Sequence, residues 1–368
     1  MMERRKFLTT AAVGGAAAAA AAGSFPAPAI SQGKVEWRMV TTWPKNFPGQ
    51  GTAAERFAKS VGDATDGRLT IKVFAAGELV PAFESFDAVT RGAADMMHAS
   101  PYYWQNKSKA TNFFSTVPYG LTTNELNAWM DYGGGQQLWD ELYAGFNLKG
   151  FHGGSTGVQM GGWFNKEINS VADLNGLKMR IPGLGGDALR KLGVTVVNLP
   201  GGEIFGALQS GTIDATEFVG PFNDMALGFF KVAKHYYWPG MHEPATQLEI
   251  TVDKKKFDGL PKDVQRIFEA ITREENVRFT AEFSARNGAA LDTLVRQHGV
   301  QLKRFPNDVL TAYGKASGEV IAELRENGDD ITKRIVESFL KARREQMGWS
   351  RIGEQEFMNA RLLDYKFG

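Results

Sequence analysis

Four short segments of the sequence concentrate groups suited to holding a small charged ligand. Arg180 ends a predicted strand, Leu177–Ile181, and is followed by Pro182-Gly183, which places a guanidinium at a strand's carboxyl end. Its planar fork can grip a carboxylate bidentately, although an interdomain salt bridge would use it equally well. In Gly157-Val-Gln159-Met-Gly-Gly162 a single amide sits in a glycine-flanked predicted strand. Gln159 can donate, or offer its carbonyl to a hard cation. Within Asp214–Asp224, Glu217 alternates with Ala215 and Val219 on a strand that is otherwise apolar, and Asn223 stands as a ligand contact near the segment's end. A carboxylate buried there needs an Arg or a metal ion. Trp238-Pro-Gly-Met-His-Glu243-Pro244 is a rigid aromatic loop carrying a second carboxylate. Aromatic groups at Trp43 and at Tyr102-Tyr103-Trp104 would add apolar walls and hydroxyl donors, or simply core.

Other chemistries find little support. The chain has no Cys, which excludes thiolate zinc sites, iron–sulfur clusters, Cys nucleophiles and disulfides. Its five His show no i, i+4 zinc pair, and there is no G-x-S-x-G elbow. Gly183-Leu-Gly-Gly186 lacks the G-x-G-x-x-G spacing of a dinucleotide loop. With 42 Lys and Arg against 41 Asp and Glu, the net charge of +1 gives no footprint for nucleic acid.

The elements that must position these residues read as α/β. Val35–Thr41, a helix over Ala53–Ala64 and Leu69–Phe74 form a β-α-β unit. The same grammar recurs from Leu177 to Val219, with a helix over Asp187–Leu192. Phe86–Asp95 matches Phe205–Asp214 at a spacing of 119 residues: a helix, a Gly cap and an Asp leading into a strand. The 368 residues suit about two domains, here two lobes of common plan with the ligand between their strand ends. Long helices are expected over Pro261–Ala290, Pro306–Glu326 and Asp330–Glu345.

Residues 1–29 read as a removable signal peptide. Arg4-Arg5 opens it as a twin-arginine signal, an Ala/Gly-rich apolar run follows, and Ala27-Pro-Ala29 offers the cleavage pattern. The run is too short for a spanning helix, which needs ~20 strongly apolar residues. Cleavage removes three basic side chains and one acidic one, leaving a slightly acidic periplasmic protein.

The twin lobes, Leu174-Asn-Gly-Leu-Lys-Met-Arg180 and Ala207–Asp214 resemble the periplasmic substrate-binding subunits of TRAP (tripartite ATP-independent periplasmic) transporters. Gln159, Glu217-Phe218 and Pro239–Pro244 resemble the subgroup that binds 2-oxoacids or 2-hydroxyacids with a cation. The resemblance implies a two-lobed periplasmic binding protein fold: two α/β lobes joined by crossing strands and a long helix, with extended C-terminal helices. It implies that Arg180 holds the ligand carboxylate. Gln159, Glu217 and the Phe218 carbonyl would ligate sodium or calcium, with Glu243 a further ligand and Tyr102, Trp43 and Asn223 around the substrate. Met241 stands where the subgroup often has an aromatic. Lobe 1 would take residues 30–155 with part of 244–290, lobe 2 residues 156–243 with part of 290–320, and residues 321–368 would form a helical extension. Membrane subunits of the transporter and a homodimer through the C-terminal helices are the implied partners.

Three functions fit these residues. A receptor needs no catalytic base and returns its ligand unchanged. A secreted metal-assisted enzyme would use Glu217 or His242 as base. A ligand sensor would share the fold. The missing nucleophile–base signature favours the receptor.

Overall fold

The computed structural model describes residues 33–367, so the expected signal peptide lies outside the described residues. Its strands are β1 (Val35–Thr41), β2 (Leu69–Phe74), β3 (Met96–Ala99), β4 (Leu148–Ser155), β5 (Gly162–Phe164) and β6 (Lys178–Arg180). They continue with β7 (Thr195–Val197), β8 (Ala215–Thr216), β9 (His235–Trp238), β10 (Gln247–Asp253) and β11 (Gln301–Arg304). One sheet has the order β2-β1-β3-β10-β4, the other β11-β9-β5-β8-β6-β7. Each contains three parallel strands, β2-β1-β3 or β7-β6-β8, followed by one antiparallel strand, β10 or β5.

The internal repeat has a physical basis. Asp95 accepts from the backbone N–H of Arg38 (2.6 Å) while its own N–H donates to the Arg38 carbonyl (2.9 Å). Asp214 does the same with Lys178, at 2.9 and 2.7 Å. The side chains of Arg38 and Lys178 then reach the carbonyls of Gly92 and Gly211, two glycines with φ of +75° and +73°. Each lobe thus closes its helix-to-strand turn with the same carboxylate and the same left-handed glycine.

The helix Gln50–Ala64 buries Ala53, Ala54, Phe57, Ala58 and Val61. Phe57 packs with Trp37, Ile250 and Phe268 in a core under the first sheet. The helix Lys262–Arg296 has 35 residues, or roughly 50 Å at 1.5 Å each. It starts in that core with Val264 and Phe268 and ends with Leu294 in the core shared with the second lobe. The helix Asn307–Asn327 rests on the second lobe, where Tyr313 donates to the Gly185 carbonyl at 3.1 Å. The helix Asp330–Ser350 returns to the first lobe, where Phe339 packs on Phe113 and Trp129. The last helix, Glu354–Ala360, buries none of its residues.

Three differences from expectation bear on the site. The helix expected from Asp187 begins at Gly183, because the Asn112 side chain of the first lobe accepts from the Leu184 N–H (3.1 Å) and satisfies its first turn. Gln159 is in the coil between β4 and β5, not in a strand. Glu217 lies just past β8, because pairing with β5 ends at Thr216 and the chain then turns inward.

A buried carboxylate in the first lobe yields a pH prediction. Glu249 receives Trp104 Nε1, Tyr143 OH (2.9 Å) and Thr251 Oγ1 (2.6 Å), and burial outweighs these donors to push its pKa up to about 7. A carboxyl that holds its proton more tightly when folded stabilises the fold below its unfolded pKa near 4.5, and that contribution is lost as pH rises through about 7. The Glu249→Gln variant should therefore lose about 3 kcal/mol of the stability change between pH 4.5 and 7. Urea melts across that range, compared with wild type, check the slope; parallel profiles refute it.

Candidate functional site

The chain passes between the two sheets through residues 156–161 and again through residues 239–246. These crossings lie side by side: Thr156 N–H donates to Thr246 O (3.1 Å), Gln159 N–H to Glu243 O (3.1 Å) and Gly240 N–H to Gln159 O (2.9 Å). A Cβ at Gly240 would fall 2.2 Å from the Gln159 oxygen, so glycine is what permits the contact. Met160 and Gly161 donate to Val219 and Tyr237, and amides shared among different elements cannot also form a ladder. That is why Gln159 is in coil.

Each residue's polar atoms can be followed. Gln159 Nε2 donates to the hydroxyls of Thr156 (3.1 Å) and Thr246 (3.0 Å), while Oε1 is buried with no donor. The Thr246 hydroxyl donates onward to the Glu243 carboxylate. Arg180, only 1 % exposed, ends β6, with Nε on the Leu199 carbonyl (3.0 Å). Its Nη1 reaches the Glu217 carbonyl (3.2 Å) and carboxylate, while Nη2 is buried without an acceptor. The Phe218 ring centre is 5.7 Å from the guanidinium. The second oxygen of the fully buried Glu217 lies 3.3 Å from His242 Nε2. Glu217, His242 and Glu243 each offer one ligand-type atom, all within 4.8 Å of one another.

The electrostatics are those of a closed, water-poor site. Burial, then the charge of Glu217, pushes the Glu243 carboxyl well above the usual carboxylate range. Burial, the largest single influence, opposes the Arg180 charge, but Glu217, Tyr103, Tyr102 and Glu243 together raise the guanidinium's pKa. The Tyr102 and Tyr103 hydroxyls are raised by burial and lie in the field of Glu217, Glu243 and Arg180. Two carboxylates and one guanidinium can take an anion and a hard cation together.

Of the expected residues, Arg180, Glu217, Phe218, Glu243 and Gln159 come together, with Tyr102 beside them. Trp43 stands against Tyr103, at 6.2 Å between rings, and its Nε1 donates to His98 Nδ1 (2.7 Å). Asn223 spends both ends of its amide elsewhere, on Gln50 (2.8 Å) and the Pro48 carbonyl (2.7 Å). Sequence reasoning missed the Thr156 and Thr246 hydroxyls and gave His242 only a possible catalytic part. No local pattern marks the two threonines; His242 at least shares its loop with Glu243.

Residues 39–327 match the family described as bacterial extracellular solute-binding protein, family 7. A monocarboxylate 2-oxoacid-binding periplasmic protein of Nostoc sp. strain PCC 7120 is 44% identical over 325 residues, 88% of each chain. A TRAP transporter solute-binding protein from Bordetella bronchiseptica, a dimer with copurified calcium and picolinate in one site, is 41% identical. It superposes with a TM-score of 0.87, covering 89% of this chain and 97% of that one. A TRAP periplasmic solute-binding protein from Pseudoalteromonas atlantica, with bound sodium and pyruvate, is 40% identical with a TM-score of 0.86 over 90% of this chain and all of that one. With its two mixed sheets and its charged group at their junction, the chain belongs to the bacterial extracellular solute-binding protein family 7, as an exported receptor with the fold of the TRAP solute-binding proteins.

Proposed function

We propose that this chain binds a small 2-oxo- or 2-hydroxy-monocarboxylate together with a sodium or calcium ion and presents it to the membrane subunits of a TRAP transporter. The observation that carries this reading is the pair of unpartnered buried atoms within this charged group. Arg180 Nη2 lacks an acceptor and Gln159 Oε1 lacks a donor. The first suits a carboxylate oxygen and the second a cation. Gln159 Oε1, the carboxylates of Glu217 and Glu243 and the Phe218 carbonyl form a hard-oxygen set that suits either ion. Held by these oxygens, a cation would supply the charge neutralisation that an anionic ligand needs beside two buried carboxyls. Arg180 and Glu217 cancel while Glu243 is held toward its neutral form, so a monoanion entering alone would leave −1 in a buried site. Anion and cation therefore bind as a pair. The relatives with calcium and picolinate, and with sodium and pyruvate, support this pairing.

Calorimetry with pyruvate tests it. Binding should be measurable with calcium or sodium and weaken at least tenfold in chelator with a potassium buffer. Equal affinity under both conditions refutes the paired site. The alternative of a secreted enzyme fails if NMR recovers pyruvate unchanged after prolonged incubation.

The lobes divide where the two crossings lie: residues 30–155 with part of 244–290, and 156–243 with part of 290–320. Export uses the twin-arginine signal of residues 1–29, and a periplasmic product still beginning at Met1 would overturn that. The homodimer forms through the C-terminal segment, where Trp349, Ile352, Phe357, Leu362, Leu363 and Phe367 are all more than 60% exposed. So much apolar surface on one segment favours a partner chain. Truncation after Gln346 should convert a dimer to a monomer in sedimentation velocity; a full-length monomer overturns this.

A further inference from the structure

We propose that Gln50 and Asn223 form a latch that holds the lobes closed over the ligand, and so set how long it stays rather than how it is recognised. The inference rests on the receptor reading above. Gln50 opens the helix that follows β1 in the first lobe, and Asn223 lies in the helix Pro221–Leu227 that follows β8 in the second. Across 173 residues of sequence, Gln50 Nε2 donates to Asn223 Oδ1 at 2.8 Å, and Asn223 Nδ2 donates back to the Pro48 carbonyl at 2.7 Å. Both side chains are at most 1 % exposed.

The loop that carries Pro48 also sends Phe47 against Phe218, with ring centres 5.8 Å apart, and Phe218 in turn covers Arg180. The latch therefore closes over the residue that receives the carboxylate. Gly49 makes the geometry possible: its φ is +81°, and a Cβ there would lie 2.6 Å from the Phe283 ring. Another rim of the cleft is bridged by Lys109 and Asp187 at 2.8 Å, but the lysine is 52% exposed, and such surface pairs contribute little. The buried amide pair is the stronger tie. Its bonds exist only while the lobes touch, so losing them accelerates opening and leaves encounter with the ligand unchanged.

The test uses the mature full-length chain. In stopped-flow with pyruvate and calcium, Asn223→Ala and Gln50→Ala should each release ligand about tenfold faster, with association within about twofold of wild type. The double variant should be no faster than the quicker single one, because Asn223→Ala already removes both hydrogen bonds of the latch. Gln50→Ala trims a single first-turn side chain and keeps the test open if Asn223→Ala folds poorly. Dyes on Lys59→Cys and Ser210→Cys, free of competing thiols in this cysteine-free chain, report lobe separation with or without ligand. The closed fraction should fall in both latch variants. A wild type that ignores pyruvate refutes the ligand assignment and leaves the dye measurement to decide the latch. Unchanged release rates in a pyruvate-binding protein, or closed fractions equal to wild type, overturn the latch.

Discussion

Arg180→Ala should abolish carboxylate binding and also unsettle the fold. The guanidinium is the charged donor beside Glu217, and its remaining nitrogen points at no protein acceptor. Truncating one member of a buried, hydrogen-bonded charge pair costs 2–5 kcal/mol of affinity, so pyruvate should bind about 1000-fold more weakly. Glu217 is then left fully buried with its cationic partner gone, which costs about 3–5 kcal/mol of stability. Arg180→Lys separates the two effects. It restores a positive charge for Glu217 and hence much of the stability, but a point charge cannot grip the ligand while holding the Leu199 and Glu217 carbonyls. Calorimetry and urea melts on both variants decide the matter. Pyruvate affinity in Arg180→Ala within tenfold of wild type would remove Arg180 from the role proposed for it.

Glu217→Gln should break the link between ligand and cation. The substitution keeps size and one carbonyl oxygen, so Arg180 and His242 retain a neighbour. It removes the negative charge paired with the guanidinium and one of the carboxylates proposed to hold the cation. Calcium should then bind about 100-fold more weakly, a loss of about 2.8 kcal/mol, and pyruvate affinity should respond far less to chelator. Glu243→Gln, farther from Arg180 and already driven toward its neutral form by burial, should have the smaller effect. A calcium titration of Glu217→Gln that keeps the wild-type midpoint would assign the cation elsewhere.

Arg180 and Glu217 were legible in the sequence because a charge among apolar strand residues is costly and demands a reason. The repeat was legible too, since its Gly and Asp are local requirements of one turn. Less accessible was whatever depends on a distant partner. Gln159 looked like a strand residue because the hydrogen bonds of its own amide to Glu243 and of its neighbours' amides to Val219 and Tyr237 span 59 to 84 positions. The glycines at 183, 185 and 186 hid the first turn of a helix, since its cap is Asn112, 72 residues upstream in the other lobe. Asn223 was visible as an amide near the site, but nothing nearby in the chain indicates Gln50.

The matching turns of the two lobes carry an evolutionary consequence. If Asp95 corresponds to Asp214 and Arg38 to Lys178, then Glu217 corresponds to His98 and Arg180 to Val40. In one lobe these positions hold a buried ion pair; in the other, Val40 is core and His98 is tied to Trp43. An ancestral duplication would have supplied two equivalent seats at the strand ends. One seat now holds a buried ion pair while its counterpart is apolar core and a tied histidine, so a shared lobe plan carries a ligand site of single polarity.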